Sequence, residues 1–221
     1  MISRHVTPCH VSGVVLKPDR PVTTTDACFV AGGKGEDCRI YHAWSDVPGA
    51  GRARYHFNNN DAGAPTTALT GAMVALTDDA LAAQPCAVFN WYTRELALLA
   101  ASSPEVVLAP GYENHSYAIV APLVGETGWA FLGEIAKYVP SSTHRFARVD
   151  ASAAQLTATV VGVAGERVEV CAALRLDGSA RAAEEAPFAL RCATSTFDEA
   201  GEQTVTIAAG GGGDGAASPV A

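Results

Sequence analysis

The chain has 221 residues, of which 48% are hydrophobic and 17% are charged, a balance that supports a packed core. Its formal net charge of −8 offers no basic surface for phosphates, which argues against nucleic-acid binding. No run of 18 apolar residues occurs, and the first ten residues lack the apolar core of a signal peptide. The sequence therefore predicts a cytoplasmic protein without a membrane segment.

The first elements in chain order are predicted to be strands separated by a loop. The stretch GVVLKPDRPVTTTDACF, residues 13–29, indicates a short strand, a loop bounded by Pro18 and Pro21, and a second apolar start. Period-2 alternation predicts strands in CRIYHAW and ARYHF, the first with Ile40, His42 and Trp44 on one face.

The middle of the chain contains one predicted helical turn among strands. Thr77 can cap a short helix at 78–83. In CAVFNWY, alternation places Phe89 and Trp91 on one face, with Asn90 and Tyr92 on the other. Two segments, TRELALLAAS and WAFLGEIAKY, also contain helix formers or helical spacing, but we expect a strand in both.

The clearest alternation lies in LTATVVGVAGERVEVCAAL, residues 156–174. A turn at Ala164, Gly165 and Glu166 separates two strands, and the pattern predicts a β-hairpin. The second strand has two predicted faces: Val168, Val170, Ala172 and Leu174 on one, and Arg167, Glu169 and Cys171 on the other.

Together these segments predict an all-β protein, an antiparallel β-sandwich of roughly ten to twelve strands with a disordered C-terminal tail. Residues 1–35 are predicted to form an N-terminal linker and first strand, and residues 36–207 the sandwich. Residues 208–221 form a Gly- and Ala-rich tail with nothing to bury. The further strands are expected at 105–108, 116–123, 145–149, 188–193 and 203–207.

The six cysteines have no CxxC pair and no spacing that matches a histidine pair. They are therefore predicted to be small buried hydrophobes with free thiols in a reducing compartment, whereas disulfides would require an oxidising compartment. Asn114 begins an Asn-His-Ser sequon, which could accept a glycan only if the protein entered the secretory route.

No motif for catalysis, metal or cofactor binding is found. The sequence has no GxSxG, no HExxH and no GxxxxGK[ST], and the Gly-rich stretch 32–35 is better explained as a turn. We predict no catalytic residue, no metal site and no cofactor.

Exposed aromatic rings are the remaining candidates, because the apolar face of a sugar stacks on them. Trp44, Trp91 and Tyr112 are the candidate stacking residues, with Tyr41 and Tyr92 beside the two tryptophans. The competing interpretation is that Trp44 and Trp91 fill the core between the sheets.

Several short motifs, in order, resemble one family of carbohydrate-active enzymes. The passage LKPDRP, followed by TTTDACF, is similar to the segment that leaves the catalytic barrel of the raffinose synthase, alkaline α-galactosidase and seed-imbibition protein family. Thr25 stands where that family usually has Arg. The later passages VVLAPGYENHSYAI and APLVGETGWAFLG resemble strands of the C-terminal sandwiches of such glycosidases.

The resemblance implies that both catalytic carboxylates lie in a (β/α)₈ barrel upstream of this chain. The chain would then be an accessory C-terminal β-sandwich of a glycoside hydrolase acting on α-galactosides, inactive alone, with the barrel as its partner. Arg20 and Asp26 would hold the seam with the barrel, and the N-terminal segment 1–29 would present an apolar patch.

The alternative is a free-standing carbohydrate-binding module whose ligand is an oligosaccharide. An independent enzyme would require two carboxylates roughly 5–10 Å apart in a cleft.

Overall fold

The computed structural model describes residues 20–24, 40–59, 67–74, 76–109, 115–176 and 188–210. These residues form fourteen strands and two short helical segments. The strands are β1 Arg20–Thr24, β2 Ile40–Val47, β3 Gly51–Asn59, β4 Thr67–Thr70, β5 Cys86–Asn90, β6 Leu96–Leu99, β7 Glu105–Leu108, β8 His115–Pro122, β9 Trp129–Gly133, β10 Phe146–Ala151, β11 Gln155–Gly162, β12 Arg167–Arg175, β13 Phe188–Thr196 and β14 Gly201–Ala208.

The largest unit is a six-stranded antiparallel sheet in the order β1-β2-β3-β8-β5-β6. Its central strands β5 and β8 are buried on both faces, which explains their nearly continuous apolar sequences CAVF and YAIVA. Alternation along β2 sends Ala43, Ser45 and Val47 inward, so Trp44 lies on the opposite face.

One face of this sheet packs against a three-stranded sheet in the order β13-β12-β9. Phe89 of β5 and Ile119 of β8 are fully buried there against Leu132 of β9 and Cys171 of β12. Every residue of β9 is buried, because this strand has a second core on its other face.

That second core joins β9 and β12 to another three-stranded sheet, in the order β10-β11-β14. Trp129 and Phe131 of β9 lie there with Val170 of β12 and Val160 of β11. Phe131 and Phe146 meet edge to face, with 4.9 Å between their ring centroids. The β9-β12-β13 sheet is therefore an inner layer between two others.

A fourth layer covers the far face of the six-stranded sheet. It consists of the two-stranded sheet β4-β7, a 3₁₀ turn at Ala72–Val74 and the helix α1, Asp78–Ala83. Leu69, Leu81 and Leu108 are buried there against Val88 and Val120 of the large sheet. As predicted, Thr77 caps α1: its Oγ1 accepts a hydrogen bond from the Ala80 amide at 3.2 Å.

The predicted all-β antiparallel sandwich is confirmed, and the ambiguous segments 93–102 and 129–138 do contain strands β6 and β9. The predicted domain bounds, with the sandwich at 36–207, stay a prediction. The tail residues 211–221 and the turn at 32–35 lie outside the described residues, as does most of the N-terminal segment 1–29.

The predicted β11–β12 hairpin is wrong. Strand β11 pairs with β10 and β14, whereas β12 pairs with β9 and β13. The turn at 164–166 carries the chain from one layer to the next, so the apolar faces of β11 and β12 pack face to face in one core. The predicted loop between Pro18 and Pro21 is also wrong for Arg20 and Pro21, which begin strand β1 and its pairing with β2.

The prediction of free cysteines is wrong for one pair. Cys171 and Cys192 lie directly opposite each other on β12 and β13 and form a disulfide. Cys86 is a free, buried thiol. Cys9, Cys28 and Cys38 lie outside the described residues.

Candidate functional site

Of the residues that the sequence predicts to be functional, Arg20, Trp44 and Trp91 lie within the described residues. Arg20 lies in β1, with its Cα opposite that of Trp44 in the β1–β2 register. Asp26, Tyr112 and the sequon at Asn114 lie outside the described residues. The stacking and seam roles predicted from the sequence stay predictions.

Trp44 and Trp91 cannot form one flat binding platform. Trp44 lies on the face of β2 that points away from the inner sheet, whereas Trp91 packs at the end of β5 against the core shared with that sheet. Strands β3 and β8 also lie between β2 and β5. The Trp44 ring is covered by Arg52, whose guanidinium carbon lies 5.1 Å from the ring centroid.

Four aromatic rings, Trp91, Tyr92, Tyr117 and Tyr138, form what we call the aromatic cluster. Trp91 stacks on Tyr138 with a centroid distance of 5.0 Å and an interplanar angle of 22°. Tyr92 meets Trp91 edge to face at 5.2 Å, and Tyr117 lies 5.8 Å from Tyr138. Tyr117 is buried, while the other three rings are partly exposed at one end of the six-stranded sheet.

As predicted, Trp91 shares a face with Phe89. Tyr92 lies beside Trp91, because strand β5 ends at Asn90 and the alternation of faces ends with it.

The segment 134–145, which follows β9, carries Tyr138 and is fixed by buried side chains of the large sheet. Trp91 Nε1 donates a hydrogen bond to the Ile135 carbonyl at 2.8 Å, and the Tyr117 hydroxyl donates to the Tyr138 carbonyl. The Tyr55 hydroxyl bonds Ser45 Oγ at 3.0 Å and also contacts Ser141. Tyr138 is therefore held in place from several sides.

Burial controls the ionisation of these phenols. Desolvation, with smaller effects from Tyr55 and Tyr138, raises the pKa of Tyr117 well above its ordinary value. Burial and the neighbouring Tyr138 also raise the pKa of Tyr92. Both hydroxyls are neutral at physiological pH, and that of Tyr117 already donates to the Tyr138 carbonyl.

The buried carboxylates of the described residues, Glu134 and Glu166, converge on one arginine. Arg145 Nε donates to Glu134 at 2.8 Å, and its two terminal nitrogens donate to Glu166 at 2.6 and 3.0 Å. The arginine side chain is 1% exposed, and we call this group the Arg145 clamp. Burial opposes the charge of Arg145, but the hydrogen bonds to Glu166 and Glu134 outweigh burial and raise its pKa.

The Arg145 clamp ties β9, the start of β10 and the β11–β12 turn together. Lys137 also pairs with Glu134 at 2.7 Å, and the Val163 amide donates to Glu166 at 3.3 Å. Both carboxylates are thus fully engaged and have little access to water or substrate. A hydrolytic pair needs room between its two carboxyl groups for a sugar and a water molecule. This arrangement is therefore structural and does not resemble a glycosidase active site.

An open groove of about 450 Å³ lies where three layers meet. Its walls are mainly apolar and come from β5, β6, β7 and β13, including Leu96, Val106, Leu108, Phe188 and Leu190. Arg94 and Asn90 contribute its polar groups, with Glu95 beside them. We call this feature the edge groove.

Sequence reasoning missed both Tyr138 and Arg94. Tyr138 was only the end of an ambiguous segment, and Arg94 lay in a stretch with helix formers. Only the neighbouring Asn90 gave a usable signal, since Asn favours turns: its side chain accepts hydrogen bonds from the amides of Tyr92 and Thr93.

Comparisons with known proteins add no relationship, since no family model and no curated protein matches the chain. Within the described residues, no three His, Cys, Asp or Glu side chains converge as metal ligands would. The described helical segments are also too short to cross a membrane.

Proposed function

We propose that this chain is the accessory C-terminal β-sandwich of a glycoside hydrolase acting on α-galactosides, of the raffinose synthase and alkaline α-galactosidase type. In this role it packs against a (β/α)₈ catalytic domain and stabilises it, without contributing a catalytic pair. The order of the motifs supports the proposal: within the described residues, the passages that resemble the family contain all or part of β1, β7, β8 and β9 of one layered sandwich.

The observation that carries the non-catalytic role is the state of the buried carboxylates. Glu134 and Glu166 are both engaged by Arg145 in the interior, and neither faces a cleft. The edge groove contains a single carboxylate, Glu95, which accepts a hydrogen bond from Thr93 at 2.8 Å. A retaining or inverting mechanism requires two carboxylates.

A galactose-release assay tests this role directly. We expect the purified chain to release no galactose from raffinose or from a nitrophenyl α-galactoside, with an active α-galactosidase as the positive control. Turnover by the chain, retained after repeated chromatography, would contradict the proposal.

The expected partner can be tested separately at the transcript. Sequencing of the complete transcript should reveal an in-frame (β/α)₈ domain before Met1, and the two parts, expressed separately, should copurify. A transcript that encodes no such domain would refute the accessory role.

The second candidate function is carbohydrate binding by the chain alone, favoured by the aromatic cluster. The rings of Trp91, Tyr92 and Tyr138 are partly exposed and lie within 5.2 Å of one another through Trp91. If this function is correct, Tyr92→Ala should abolish binding of raffinose in calorimetry. Trp44→Ala, on the opposite face of the sheet, is the matched control and should leave binding unchanged.

A further inference from the structure

We propose that the edge groove binds an extended peptide segment that carries an acidic side chain, by adding a strand to the free edge of β6. This inference is independent of the proposed glycosidase role. It depends on three features of the groove in the described part of the chain: a strand edge without a pairing strand, apolar walls on both sides of that edge, and an arginine with no hydrogen-bond partner at one terminal nitrogen.

The first feature is the edge itself. β6 is the last strand of the six-stranded sheet and pairs only with β5 among the described strands. The Asn90 amide bonds the Glu95 carbonyl, so the backbone groups of Glu95 and Ala97 point toward β5. By the antiparallel alternation, the amide and carbonyl groups of Leu96 and Leu98 point outward. An extended chain can bond to them.

The second feature is the pair of apolar walls. Val106 and Leu108 of β7 lie on one side of the β6 edge, while Phe188 and Leu190 of β13 lie on the other. The side chains of an added strand alternate between the two faces of the sheet. Each wall would therefore receive alternate side chains of the peptide. Val107, next to this site, is 65% exposed, and no other large hydrophobic residue in the described part of the chain is so open to solvent.

The third feature is Arg94, at the entrance to β6. Its guanidinium carbon lies 5.7 Å from the Phe89 ring centroid, and its Nη1 atom is buried without a hydrogen-bond partner among the described residues. The adjacent Glu95 carboxylate is engaged by Thr93 instead. Arg94 also has a positive φ of 64°, which is costly for an arginine. A carboxylate on the ligand would satisfy this cation, so we choose an acidic peptide rather than a neutral one.

Fluorescence anisotropy with a labelled peptide of sequence VTVEVTV tests the proposal. We expect saturable binding that weakens roughly tenfold or more when Glu is replaced by Gln, because one charge-assisted hydrogen bond is lost. A peptide with alternate backbone amides N-methylated should not bind, since it cannot form the strand ladder. Equal binding of either control peptide, or no binding of the parent peptide, would overturn the proposal.

The decisive protein variant is Arg94→Asn. Asn tolerates a positive φ better than Arg, so this variant should fold with an unchanged or higher melting temperature and still bind the peptide at least about tenfold more weakly. Arg148→Gln, which removes an exposed arginine of β10, is the matched control and should bind normally. Unchanged affinity of Arg94→Asn would refute the role of the arginine.

Displacement of the peptide by hexanoate at similar concentration would instead assign the groove to a small amphipathic acid and overturn the peptide proposal.

Discussion

At the scale of single residues, the Arg145 clamp places a charged side chain that is 1% exposed in the interior. Replacing Arg145 by Met would remove the cation that Glu134 and Glu166 share, although Lys137 would still pair with Glu134. We expect a loss of about 3–5 kcal/mol in the free energy of unfolding, mainly from Glu166. Urea denaturation followed by tryptophan fluorescence measures this loss. In a Glu134→Gln, Glu166→Gln background, the same Arg145→Met change should cost much less. An equal cost in both backgrounds would show that the charges are not the cause.

A second residue-scale prediction concerns Cys86 and pH. Burial, partly offset by Arg54, raises the pKa of this thiol to about 11. The unfolded thiol ionises near its ordinary value, so the folded state binds the proton more tightly. The stability that this tighter proton binding gives to the folded state is fully present below about pH 8.5 and is lost as pH rises toward 11. We expect stability to fall more steeply between pH 8 and 10.5 in the native chain than in Cys86→Ala. Identical slopes would contradict the shift.

At the scale of secondary-structure elements, the cap of α1 can be tested alone. The helix has only six residues, with Asp78 and Asp79 in its first turn, where they face the positive end of the helix dipole. We expect Thr77→Ala to lower the free energy of unfolding by about 1 kcal/mol because the bond to the Ala80 amide is lost. Thr77→Asn keeps a capping oxygen and should restore most of that stability. A loss of the same size in Thr77→Asn would point to packing instead.

The pairing of β12 with β13 is reinforced by the disulfide, which closes a loop with a sequence separation of 21 residues. Removal of such a link frees the unfolded chain, and we expect Cys192→Ser to lower stability by about 3 kcal/mol. Reduction by dithiothreitol should have a similar effect on the native chain and none on the variant. Recovery of Cys171 and Cys192 as free thiols from unreduced protein, by peptide mass mapping, would contradict the pairing.

The same elements show what sequence patterns can and cannot predict. Alternation correctly located β11 and β12, because the burial of Leu156, Val160 and Val168 requires it. It could not tell a hairpin from a turn between layers, since both arrangements bury the same side chains. Likewise, the direct opposition of Cys171 and Cys192 depends on the β12–β13 register, which spacing alone does not reveal.

At the scale of the whole molecule, the four layers explain why the candidate sites were harder to predict than the fold. A fold class follows from local alternation and turn residues. Tyr138 reaches Trp91 only because the segment 134–145 is held against the large sheet. Arg94 and Phe188 line one groove although they come from distant parts of the chain. Such contacts join positions far apart in the chain, and no short motif encodes them.

The layered packing predicts an order of local stability. β9 is buried along its whole length between two cores, and β12, the middle strand of the same sheet, pairs on both sides, so both strands are protected from solvent. β4 and β7 form a two-stranded outer layer, in which Val107 is exposed. We expect hydrogen exchange, followed by mass spectrometry, to be slowest in β9 and β12 and much faster in β4 and β7. In the Arg145→Met variant, the amides of β9 and β12 should both exchange faster than in the native chain, because Glu134 and Glu166 flank these two strands. Faster exchange in β9 than in β7 would contradict the inner position of its sheet.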